Sequence, residues 1–78
     1  MTKKDYAILT RWHQVTKEQL SNQAMVNKLC IYAEVEIDNY KAQLQDLEYI
    51  ETCLAELNHI LDKLQQAKSV LRILHSIQ

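Results

Sequence analysis

Apolar positions along the chain fall into three stretches, and the spacing in each predicts a helix. In the first, Tyr6, Leu9, Trp12 and Val15 recur every three residues, which keeps them on one side of a helix. Thr2-Lys3-Lys4-Asp5 supplies the residues of a capping box, with a hydroxyl to accept an early N–H and a carboxylate at the positive end of the helix dipole. The pattern lapses over 16–23, where Leu20 is the one apolar residue of eight. A first helix is therefore expected over about 3–19. Asn22, which tolerates the left-handed conformation, is its expected stop, and Ser21 the expected cap of the next helix.

The second stretch, Met25 to Ile37, is apolar at nine of thirteen positions. Leu29, Cys30, Ile31, Tyr32 and Ala33 follow one another directly, so a helix here is apolar all round and needs cover on more than one side. Ala33-Glu34-Val35-Glu36-Ile37 alternates as a strand would, but a lone five-residue strand has nothing in the chain to pair with. Asp38-Asn39 is the next expected break, giving a helix over about 22–37 and a reversal near 38–40.

From Tyr40 onward a heptad emerges. Tyr40, Leu47, Leu54 and Leu61 occupy position a, Ile50, Leu57, Leu64 and Leu71 position d, and Cys53, Ile60, Ala67 and Leu74 position g. The unbroken repeat predicts one long, coiled-coil-like C-terminal helix over about 40–77. Its apolar g column widens the stripe beyond a two-stranded seam and favours a bundle of three or four helices. Val70, Ile73 and Ile77 form a separate row that also needs cover. The fold class is thus all-α, a helical hairpin or bundle in a single domain, 1–78. Its core and interface positions are Trp12, Leu29, Tyr32, Leu47, Ile50, Leu54, Leu57, Ile60, Leu61, Leu64, Val70, Leu71, Ile73 and Ile77.

Composition sharpens this picture. The 78 residues are 47% apolar, enough for a core, yet contain no Gly and no Pro. Without them there is no glycine-rich phosphate cradle and no ordinary tight turn, which excludes Rossmann and P-loop sites and makes a sandwich or barrel untenable. Chains this short seldom build enough core alone, and a two-helix hairpin leaves wet either the apolar run 29–33 or the row Val70, Ile73, Ile77. Association, with itself or with a helical partner subunit, is expected to supply the missing cover.

The net charge is -1, but it is laid out in blocks. Residues 1–32 carry +3, residues 33–56 carry -6 and residues 57–78 carry +2. The acidic block has Lys41 as its one cation, so its complement is expected on another helix or another chain. Lys3, Lys4, Arg11 and Lys17 make a basic N-terminal face too thin to bind nucleic acid by charge alone.

Candidate chemistry is sparse. Glu56-Leu57-Asn58-His59 has the Glu-x-x-His spacing of di-metal helical bundles, but the heptad puts Glu56 at c and His59 at f, off the apolar stripe, and no metal is expected there. His13 and His75 have no acid or thiol at ligand spacing. Cys30 and Cys53 sit in apolar stretches as small hydrophobes, and no nucleophile elbow or oxyanion nest accompanies them. The chain is read as no enzyme, with no cofactor. Trp12, between Arg11 and His13, serves either as core anchor of the first helix or as an exposed hot spot. The longest apolar run, Leu29 to Ala33, is far short of the roughly 20 residues of a membrane span, and no signal peptide opens the chain, so a soluble cytoplasmic protein is expected. The function this build fits is a non-catalytic helical interaction module, a small subunit or adaptor of an assembly or homo-oligomer. Two alternatives stand beside it: an export or assembly chaperone masking a client's amphipathic helix, and a helical hairpin binding nucleic acid.

Overall fold

A computed structural model of the chain describes residues 2–49 and 54–77, with side chains for all of these except 47–49. The described residues form four helices, α1 (Lys3–His13), α2 (Lys17–Leu20), α3 (Gln23–Tyr49) and α4 (Leu54–Ser76), and no strand. The architecture is all-α: α3 and α4 form a hairpin, and α1 packs across one end of it.

With no glycine to end helices, side chains set the boundaries. Thr2 Oγ1 accepts from the Asp5 N–H at 3.1 Å while Asp5 Oδ2 accepts from the Thr2 N–H at 3.4 Å, the reciprocal capping box of α1. A second box starts α2, where Thr16 Oγ1 accepts from the Gln19 N–H and Gln19 Oε1 accepts from the Thr16 N–H. Asn22 Oδ1 accepts from the N–H groups of Ala24 and Met25 and starts α3. The first helix therefore stops at His13 rather than near residue 19. The left-handed residue is Gln14, at φ 51° and ψ 44°, not Asn22. A non-glycine residue in that region costs about 1–2 kcal/mol. Trp12 and Val15 on either side of it are both buried, each contributing about 1.5–3 kcal/mol, so burial outweighs the backbone cost.

The core has two parts. The larger joins Leu9, Trp12 and Val15 to Val26, Cys30 and Ala33 of α3 and to Val70, Ile73 and Leu74 of α4. The smaller joins Ile37 to Leu64 and Ala67, flanked by Tyr40, Leu44 and Leu71. Early α3 meets late α4 and later α3 meets earlier α4, so the two helices run antiparallel. Two expectations fail on this point. The break near 38–40 is absent, because Ile37, Tyr40 and Leu44 continue the i, i+3, i+7 spacing against α4 while Asp38 and Asn39 lie on the exposed side. The long C-terminal helix is present as α4 but covers Leu54–Ser76 and not 40–77, since at 1.5 Å rise per residue a straight helix holds Leu44 and Leu64 about 30 Å apart, and here they belong to one cluster. Both arms of an antiparallel hairpin need the same apolar spacing, so the heptad runs through Tyr40–Tyr49 and α4 alike without marking where one ends.

The row Val70, Ile73, Ile77 is also covered within the chain. Val70 and Ile73 are buried and Ile77 half-buried against the α1 residues, which act as a third helix that a two-helix hairpin lacks. Within α4 the buried side takes in the d and g columns and this row, while the a column, Leu54 and Leu61, stays exposed. The expected consequence is a steep contrast in truncation. Leu74→Ala should cost about 2–5 kcal/mol and Leu54→Ala under about 0.5 kcal/mol, measured by urea denaturation of the two variants side by side.

Candidate functional site

The junction of α1 with α3 is built around one carboxylate. Trp12 Nε1 donates to Glu36 Oε2 at 2.8 Å, and His13 Nε2 lies 2.7 Å from Glu36 Oε1. A carboxylate only accepts, so the hydrogen in the second contact lies on His13 Nε2. Around it the rings meet edge to face, with centroids 4.6 Å apart for Trp12 and His13, 4.9 Å for His13 and Tyr32, and 5.9 Å for Trp12 and Tyr32. Such pairs add about 0.5–1.5 kcal/mol beyond burial. Trp12 is thus an anchor of the fold, with its indole N–H already engaged. Among the described residues the His13–Glu36 contact is the one acid–base side-chain pair within 4 Å, so the rest of the acidic block finds no cation in its own chain there. Glu36 carries no local sequence signal for this role, because its partners lie 23 and 24 residues away.

Cys30 is buried in the main core, and its thiol is pushed above the ordinary range, first by burial and then by the nearby Glu34 carboxylate. A raised thiol disfavours the thiolate that a nucleophile needs. Cys53 lies outside the described residues. Burial first, then Glu36 and Tyr32, push the Tyr40 hydroxyl up as well. Glu56 and His59 are exposed on α4 and line a shallow groove with Gln43 and Ile60. Among the described residues no third His, Cys, Asp or Glu joins them at metal-binding distance. His75 is exposed. None of the described helices is long and apolar enough to cross a membrane.

The other sequence-derived positions divide by surroundings. Trp12, Leu64, Val70 and Ile73 are buried; Leu29, Leu57, Ile60, Leu71 and Ile77 are half-buried. Leu47, by its side chain, and Ile50 lie outside the described residues. Tyr32, Leu54 and Leu61 are 52%, 70% and 44% exposed, and Ile31 and Val35 join them at 60% and 52%. Ile31, Tyr32 and Val35 form one patch on the side of α3 away from its buried row. Ile31 and Val35 are absent from the sequence-derived set, although the all-round apolar run 29–33 was the signal that could have found them. Single exposed apolar side chains are ordinary on a protein surface.

No protein-family model, no curated protein and no solved structure matches the chain.

Two outcomes follow from this chemistry. Glu36→Ala leaves the Trp12 N–H without its acceptor and should cost about 1–3 kcal/mol, whereas Glu36→Gln keeps a carbonyl there and should recover most of it. Urea denaturation followed by the fluorescence of Trp12, the sole tryptophan, reads both. The second concerns pH. Cys30 is raised in the folded chain, so above the unfolded thiol value of about 8.5 the unfolded chain loses that proton first and stability falls as pH rises. Tyr40, raised in the same sense, extends the fall above about pH 10. Denaturation midpoints should drop between pH 7 and pH 10, and Cys30→Ala should flatten the first part of that drop.

Proposed function

We propose that this chain is a non-catalytic helical interaction module, a small cytoplasmic subunit or adaptor that works by burying a helix face against a partner helix. The observation that carries the proposal is the patch Ile31, Tyr32 and Val35. Ile31 and Val35 lie outside the chain's core clusters, and Tyr32, which meets Trp12 and His13 edge to face, still leaves 52% of its surface exposed beside them. Burying a side chain of this kind contributes about 1.5–3 kcal/mol, so three of them on one turn give a partner helix a reason to dock there. Leu54 and Leu61 add apolar surface on α4.

Neither alternative gains comparable support. A chaperone that masks a client helix needs a concave apolar groove, and the Ile31–Val35 patch lies on the outward side of a helix. A nucleic-acid reading needs aromatic platforms beside the basic face, but Trp12 is buried with its N–H held by Glu36, and the Lys17 ammonium sits 5.7 Å from the centre of the Tyr6 ring.

A photo-cross-linking residue placed at Val35, and separately at Lys4 as an exposed polar control, tests the proposal in cells that make the protein. Discrete cross-linked species from position 35, absent from position 4, are expected. No species from position 35 overturns the module reading.

A further inference from the structure

The outward side of α3 carries an ordered row. Ala24, Lys28, Ile31, Val35, Asp38 and Ala42 follow one another at alternating spacings of four and three, and all six are exposed. This is the a/d repeat of a coiled coil, with Lys28, Val35 and Ala42 at a and Ala24, Ile31 and Asp38 at d. At 100° per residue the row lies on the opposite side of the helix from Val26, Cys30, Ala33 and Ile37, which face the core. The helix therefore has two seams, and its own chain fills one.

The open seam is complementary to itself when read backwards. With a pivot at the level of Ala33, Ile31 meets Val35 of a second copy, Lys28 meets Asp38 and Ala24 meets Ala42. Each layer then sets an a residue against a d residue, the pairing an antiparallel coiled coil makes. Branched side chains fill the centre, opposite charges lie outside them, and small residues at the ends let the helices approach. The seam is about 27 Å long at 1.5 Å rise per residue. A parallel arrangement sets Lys28 against Lys28 and Asp38 against Asp38, which is repulsive in both layers. Within the chain neither Lys28 nor Asp38 has an ion-pair partner among the described residues. Tyr32 flanks the pivot on one edge. Glu34 flanks it on the other and approaches its own copy, a like-charge cost that water and salt screen at this exposed edge.

We propose that the partner is a second copy of this chain, docked antiparallel, α3 against α3, about a two-fold axis at the level of Ala33. The proposal rests on the interaction-module reading and names its partner. Such an interface is isologous: each copy uses the same surface, so the assembly closes at two chains.

The test is sedimentation equilibrium on the full chain from about 1 µM to about 1 mM, the range in which a small interface dissociates. Wild type should be a dimer in reversible exchange with monomer. Lys28→Asp alone and Asp38→Lys alone each place like charges in two layers and should weaken the dimer about tenfold or more. The double variant Lys28→Asp/Asp38→Lys restores opposite charges and should return the dissociation constant to within about threefold of wild type. Circular dichroism and the melting midpoint of dissociated samples should stay unchanged in all three, because both positions are exposed. A dimer indifferent to the single changes, or one that the double variant fails to rescue, overturns the antiparallel register and with it the proposal. A wild type that stays monomeric throughout overturns it too. If position 35 still cross-links to a different protein, the module reading survives that result; if it cross-links to nothing, both fall.

Discussion

The structure depends on the C-terminal half of α4 being apolar on two sides. Val70, Ile73 and Leu74 are buried at once, with α1 residues Leu9 and Trp12 and α3 residues Val26, Cys30 and Ala33 in the same cluster. Both neighbours thus share one wall, and removing that wall would leave α1 with an exposed tryptophan and α3 with an exposed seam. The burial is uneven along the hairpin. Nine buried residues gather at the end where α1 lies, and three at the level of Ile37, Leu64 and Ala67. In a chain of this size that concentration matters, because net stability is a small remainder between large opposing terms. The shared wall at the α1 end supplies most of the favourable side.

A second constraint is the absence of glycine and proline. The starts of the first three helices are each fixed by a side chain: Thr2 for α1, Thr16 for α2, Asn22 for α3. The turn after α1 requires a left-handed residue and has only Gln14 to offer. The chain accepts that strain because the turn delivers Trp12 and Val15 into the core and brings His13 beside Glu36. The Glu36 clamp adds to this by tying the end of α1 to the middle of α3 through two hydrogen bonds on one carboxylate.

The helix α3 is two-sided. Its inward seam is used by the chain, and its outward seam is laid out with the same three-four spacing. Charge follows the same division. The acidic block could have been neutralised by the basic segments at either end, yet among the described residues only Glu36 has a basic side chain within ion-pair distance, and that side chain is a histidine. Leaving Lys28 and Asp38 unpaired on the outward side costs the monomer little, since exposed ion pairs are worth less than about 1 kcal/mol, and it leaves them available to define register with a partner.

By itself the sequence determined the helical character of the chain, the capping box at Thr2, the placement of Trp12 and Leu64 on apolar faces, and the surplus of apolar surface over 29–33. All of these are local, set by spacing within one or two turns. The box at Thr16-x-x-Gln19 was equally legible, since it has the same residue pattern as the first, and it marks the end of α1 region that periodicity alone carried too far. What only the tertiary structure decided was non-local. A heptad spanning Tyr40 to Leu74 is the same string whether it forms one helix or two arms, and no glycine or proline marks the division. Whether Val70 and Ile73 face a partner chain or α1 depends on α1 folding back across the hairpin, and Glu36 acquires its role only when residues 23 and 24 positions earlier are brought to it. Periodicity records that a face must be covered; which element covers it is settled by how the whole chain closes.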